Sequence, residues 1–198
     1  MEATELTREL VSIPSHDDET EAGDYLAGWL REHTDADVTV DDAGNVVARR
    51  GEGDPTLALV GHHDVVPPDD SQTTADGGYV VEERDGRLHG RGTADMKAAV
   101  AAAMLAFRDA DLQESAPELV FASFVGEEVG GEGARHAVAE GFGPDRAVVG
   151  EGSTGYSAPG VTDVAVAHKG RRGSTIAASG EAAHASEAEA GENAVYRA

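Results

Sequence analysis

Four short acidic or histidine clusters follow one another along this chain: Gly61-His62-His63-Asp64, then Gly90-Arg91-Gly92-Thr93-Ala94-Asp95-Met96-Lys97, then Gly126-Glu127-Glu128, then Gly150-Glu151-Gly152. Each lies at or just past the end of an apolar run that reads as a strand. Side chains far apart in sequence are thereby brought to one edge of a sheet. One imidazole and several carboxylates converging there make a hydrolytic metal site.

The pattern around the clusters predicts an α/β domain with a mostly parallel sheet flanked by helices. Helices are expected over Thr4–Ser12, Thr20–His33, the Ala-rich run Thr93–Phe107, and Gly133–Glu140. Strands are expected at Val38–Val40, Asn45–Arg49, the apolar Leu57–Val60, Leu119–Val125 and Ala147–Val149. Two more flank Arg84-Asp85-Gly86 as a hairpin. Further on, Val164–Ala167 and Ser174–Ser179 read as strands and a helix starts at Glu192. The composition shifts near Lys169-Gly170-Arg171-Arg172-Gly173, which divides the chain into 1–168 and 169–198.

Charge narrows the partners. Asp and Glu number 38 against 15 basic residues, and Lys97 and Lys169 are the only lysines, for a net charge of -23. Such a coat governs solubility and self-repulsion rather than fold. It is expected of a halophilic protein, whose surroundings screen the repulsion, and it argues against nucleic acid or an anionic membrane as partner. Without cysteine there is no disulfide and no thiolate ligand, so any metal must be held by imidazole and carboxylate. The charged start, Met1 to Arg8, lacks an apolar signal core and no run is long enough to span a membrane. The cytoplasm is the expected location.

Within the clusters, residues two apart on a strand share a face. Asp64 can therefore accept the second ring N–H of His62 and fix the tautomer that binds metal, while His63 points the other way and reads as structural. Asp95 near the start of the Ala-rich helix is either a helix cap or a carboxylate able to bridge two ions. The adjacent Glu127 and Glu128 repel each other at the end of a buried strand unless a cation compensates. One of them can ligate while its neighbour serves as general base. Glu151 completes the set; alone it would be an ordinary loop acid.

The run Gly61-His62-His63-Asp64-Val65-Val66-Pro67-Pro68, with the Gly90–Lys97 cluster and the Glu127-Glu128 pair, resembles the co-catalytic zinc aminoacylase and carboxypeptidase family. Acetylornithine deacetylase and succinyl-diaminopimelate desuccinylase belong to it. The resemblance implies that His62, Asp95 and Glu151 hold one zinc. Asp95 would bridge to a second zinc on Glu128, Glu127 would be the general base, and Asp64 would orient His62. Zinc is the expected cofactor, with cobalt as the alternative. The segment Gly170-Arg171-Arg172-Gly173-Ser174 and the run Ala182-Ala183-His184-Ala185-Ser186 are similar to the opening of the family's α+β lid, where the place of His184 contacts substrate. Arg171 and Arg172 fit a substrate carboxylate or an exposed lid strand equally well.

Two departures are small: Ala98 replaces a glycine, and Gly152 stands where proline commonly follows. A larger one is the expectation that the chain is truncated within the lid, lacking the return segment that brings a histidine to the second zinc. The expected activity is removal of an N-acyl group from an amino acid, in amino-acid biosynthesis, with an N-acyl amino acid or short peptide as substrate. The rivals are a dipeptidase or carboxypeptidase, and an incomplete half that binds zinc without turnover. A homodimer or a complementary C-terminal chain is the expected protein partner.

Overall fold

The computed structural model describes residues 2–112, 116–152, 164–166, 177–184, 186 and 190–197. The chain divides into two units, Met1–Thr154 and Gly155–Ala198.

The first unit opens with α1 (Ala3–Ser12), which buries Leu6, Leu10 and Val11 at helical spacing. Ile13 then turns extended, the conformation that Pro14 imposes on its predecessor. The second helix, α2 (Thr20–His33), buries Leu26, Trp29 and Leu30 and carries Arg31 and His33 in its last turn, where the helix dipole favours positive charge. Among the described residues seven strands follow: β1 (Asp37–Val40), β2 (Val46–Arg50), β3 (Leu57–His62), β4 (Glu82–Arg84), β5 (Arg87–His89), β6 (Leu119–Phe124) and β7 (Arg146–Val149). Between them lie α3 (Ala98–Asp109), before β6, and α4 (Glu132–Ala139), before β7.

Five strands form one sheet in the order β1-β2-β6-β3-β7, and β4 and β5 form a separate hairpin. The β1–β2 and β2–β6 pairings are antiparallel, whereas β3 runs parallel to both of its neighbours. The sheet is thus mixed, and its parallel part carries three of the four motifs; the Gly90–Lys97 cluster instead follows β5 of the separate hairpin. Register aligns the strand ends: His62 lies beside Phe124, and Val60 lies beside both Ala122 and Val149. The loops after β3, β6 and β7 therefore leave from one edge.

All six residues of β6 are buried, which suits its apolar sequence and its place inside the sheet. On one face Leu119 and Phe121 join Val46 and Ala48 against α1, α2 and α3, through Leu6, Leu10, Leu26, Leu30, Met104 and Phe107. Each fully buried leucine there contributes about 2 kcal/mol by leaving water. On the other face Ala122 and Phe124 pack with Ala137, Ala134 and Phe142.

In the first unit one helix departs from the sequence expectation. The Ala-rich helix predicted from Thr93 begins only at Ala98. Thr93–Lys97 instead forms a wide turn, with Asp95 at φ -124°, ψ 99° and Met96 at φ -130°, ψ 29°. The turn opens on Gly92 at φ +79°, and a Cβ there would stand 2.6 Å from Val65 Cγ1. Ala, Met and Lys favour helix individually, but that preference is worth only tenths of a kcal/mol per residue and tertiary packing overrides it. Asp95 is accordingly not a first-turn cap.

In the second unit, Glu181 and Glu192 form an isolated antiparallel bridge, and Ala194–Arg197 forms a 3-10 turn where a helix was expected from Glu192. Residues 164–166 and 177–179 form no strand; the rest of the two strands expected there, and Lys169 to Gly173 with Arg171 and Arg172, lie outside the described residues. Among the described residues no helix is long and apolar enough to cross a membrane.

Candidate metal centre

His62 arrives at the last position of β3 and is 2% exposed. Its Nδ1 lies 3.1 Å from the Asp64 carbonyl oxygen and 3.2 Å from Asp64 Oδ1. Its Nε2 lies 3.1 Å from Asp95 Oδ1 and 3.9 Å from Glu151 Oε2. With the Nδ1 proton directed at Asp64, the Nε2 lone pair faces two carboxylates, and ionised carboxylates only accept. Either a proton or a cation must sit between them. Burial pulls the His62 imidazole down, but Asp64, with Glu151 adding to it, raises it to about 9.

The carboxylates show the same shortage of positive charge. Burial and then the charge of Asp95 push the Glu151 carboxyl above its usual range, and Glu128 is raised by the same two causes in the same order. The candidate ligand atoms of His62, Asp95 and Glu151 all lie within 4.8 Å of one another. A tetrahedral ion with bonds of about 2.0 Å separates its ligands by about 3.3 Å, close to the spacings around Nε2. One imidazole with two carboxylates is a donor set suited to a borderline divalent cation such as zinc. The residues present therefore fit a metal ion.

Asp64 joins two parts of the centre. One side faces His62, and Oδ2 accepts the backbone N–H of Glu128 at 2.9 Å. Burial opposes ionisation of Asp64, but His62 and the amides of Glu128 and Glu127 hold its carboxyl below the ordinary value. Glu127 is exposed and Glu128 half-buried on the turn after β6. Glu128 does not belong to the three-residue group; it feels Asp95, His62, Glu127 and Asp64 electrostatically. A cavity of about 190 Å³ opens between His62, Glu127 and Glu151, with Val60, Phe124 and Val149 among its apolar walls.

His63 faces away. It is 1% exposed, its Nδ1 meets Ser123 Oγ at 2.9 Å, and burial lowers it to about 4. His184 belongs to the second unit, where it is exposed with Nδ1 2.8 Å from Ser186 Oγ.

Three supporting residues escape a reading of the motifs. Asn45 donates to Asp41 and to the Gly133 carbonyl and accepts the Val125 N–H. It thereby ties β2 to the turn that carries Glu127 and Glu128. Gly133 makes room for this contact, since a Cβ there would lie 2.2 Å from Asn45 Oδ1. Ser15 donates from Oγ to the His63 carbonyl and accepts the Val65 N–H, so it clamps the segment after β3. Lys97 is fully buried, and burial lowers its ammonium to about 8 against the favourable charge of Asp64. Its signal in the sequence is its rarity, a lysine placed beside a motif in a lysine-poor chain.

Residues 58–196 match the description "Peptidase family M20/M25/M40". The chain is 33% identical over 205 residues to acetylornithine deacetylase of Klebsiella pneumoniae (strain 342), covering 96% of this chain and 51% of that enzyme. Among solved structures, human carnosine dipeptidase 1 superposes with a TM-score of 0.60 at 26% identity, over 74% of this chain and 38% of its own. An M20 family metallo-carboxypeptidase from Sulfolobus solfataricus gives 0.66 at 20% identity, over 77% and 38%. The chain spans about half the length of the curated relative it matches. With the strand-edge cluster of His62, Asp95 and Glu151 in place, these matches settle its lineage: the chain belongs to peptidase family M20/M25/M40.

Proposed function

We propose that this chain carries the metal centre of a zinc-dependent amidohydrolase that removes an N-acyl group from an amino acid. The observation that carries the reading is His62, held at Nδ1 by Asp64 and presenting Nε2 to Asp95 and Glu151. The name of the acetylornithine deacetylase relative supports the substrate class.

His62, Asp95 and Glu151 would hold the ion, and Glu128 is the remaining carboxylate for a second one beside Asp95. When bound, the ion supplies Lewis acidity toward the amide carbonyl and acidifies water. Glu127, exposed at the mouth of the cavity, takes the proton lost by the attacking water. It then returns that proton to the leaving amine nitrogen. Asp64 keeps the His62 ring oriented and leaves Nε2 free for the ion. His184 is proposed to contact substrate, from within a lid that starts near residue 169.

The test is zinc content of the purified chain, measured with amine release from N-acetyl and N-succinyl amino acids and from dipeptides. The reading expects about one zinc per chain and turnover of the N-acyl substrates in preference to dipeptides. Turnover confined to dipeptides would favour a dipeptidase. A second reading, a half that binds zinc and turns over only with a complementary chain, is supported by β7. That edge strand is exposed along its length, with Val148 and Val149 each 56% exposed. Zinc without turnover would favour it.

A further inference from the structure

Asp95 sits in a turn that is neither helix nor strand, and something must hold that turn against β3. Its own backbone contributes the Lys97 N–H donating to the Gly92 carbonyl at 2.9 Å. Met96 anchors it in the apolar core. The third anchor is the Lys97 side chain, which leaves the turn in the direction of α1. Its Nζ donates to the carbonyl oxygens of Leu10 at 3.1 Å and Ile13 at 2.6 Å, and it stands 5.9 Å from the centre of the Tyr79 ring.

Every one of these partners suits a cation. Leu10 lies in the last turn of α1 and Ile13 just beyond it, at the negative end of the helix dipole. The face of an aromatic ring is likewise electronegative. Ile13 also begins the segment whose Ser15 clamps Val65 and the His63 carbonyl. One ammonium thereby connects the Asp95 turn to α1 and to the segment bracing the end of β3.

We infer that Lys97 is a positioning residue for the metal centre: its buried ammonium, bonded to the C-terminal carbonyls of α1, fixes the Asp95 turn so that Asp95 Oδ1 faces His62 Nε2. The inference rests on the proposed metal site. A mere core residue would contribute stability only; a positioning residue contributes ion affinity through Asp95.

The experiment measures zinc affinity by chelator competition for the 198-residue chain and for Lys97→Met, Asp95→Asn, the double variant and Leu6→Ala, with thermal unfolding of each. Lys97→Met should weaken zinc binding by about tenfold or more, the size seen when partners of metal ligands are lost. The Asp95→Asn loss should be much smaller in the Lys97→Met background than in the parent, because both changes act on one interaction. Leu6→Ala loosens the packing of α1 one turn earlier while leaving the ammonium and the carbonyls it meets, and should bind zinc as the parent does. Equal zinc affinity in Lys97→Met and parent would overturn the inference, as would additive losses or an equal loss in Leu6→Ala. If Lys97→Met does not fold, Lys97→Gln, which keeps an NH2 donor group but not the charge, replaces it in the same cycle and is read by the same criteria. A parent chain that binds no zinc would instead sink the metal site itself.

Discussion

His62 and His63 are neighbours in sequence, equally buried, and driven in opposite directions. The first is raised to about 9 and the second lowered to about 4. Burial acts alike on both and disfavours the charged ring. The difference lies in what each ring faces: two carboxylates and Asp64 on one side of the strand, a serine hydroxyl on the other. Strand alternation alone separates them. A buried histidine is therefore no sign of a metal site; a buried histidine whose second nitrogen meets only acceptors is one.

The sharpest way to break the comparison is to delete each ring. His62→Ala should lower zinc affinity by at least about a hundredfold, exceeding the loss typical of a supporting partner. His63→Asn, by contrast, should leave affinity near the parent value; equal losses in the two variants, read by chelator competition, would refute the distinction. Asp64→Asn comes next. It keeps the shape but removes the charge, so zinc affinity should fall by about ten- to a hundredfold. The His62 ring, followed by NMR in the metal-free chain, should then titrate well below 9.

The pH dependence of stability in the metal-free chain gives a third test. Below about pH 6.5 an unfolded histidine takes up a proton that native His63 refuses until about pH 4, so His63 removes stability as pH falls through that window. His62 does the reverse. Its raised value adds stability in full below pH 6.5, and that contribution is lost as pH rises toward 9. In urea titrations His63→Asn should flatten the acid limb and His62→Asn the alkaline limb. The smallest effect is expected of Ser123→Ala. It leaves His63 Nδ1 without its partner, costing about 1–2 kcal/mol of stability with zinc affinity unchanged.

The same contrast explains what the sequence made legible. His62 and Asp64 could be paired from their spacing, and the positions of Glu127, Glu128 and Glu151 just after strands could be read from the apolar runs before them, because strand period and strand ends are local properties. The helices of 3–12 and 20–33 were legible for the same reason, through apolar residues at 3.6-residue spacing. The Asp95 turn was not. Ala94, Met96 and Lys97 read as helix, and what bends them is Gly92 against Val65 and an ammonium reaching carbonyls 84 and 87 residues away. A backbone carbonyl leaves no mark in the sequence, so its partner cannot be found there. Asn45 was hidden likewise, since two of its three partners are main-chain atoms of Val125 and Gly133.

The parallel register of β3 with β6 and β7 has a consequence for the order of events in folding. Residues 62 and 151 meet only when the ends of β3 and β7 are level, and residue 95 joins them only when its turn is packed beside β3. Such long-range pairings close late. The unfolded chain offers no preformed cage, so an ion held by these residues is captured by the finished sheet rather than templating it. On the proposed reading its grip would enter as mass action on the native state, and resistance to unfolding would rise with free zinc while the rate of folding stays as it was.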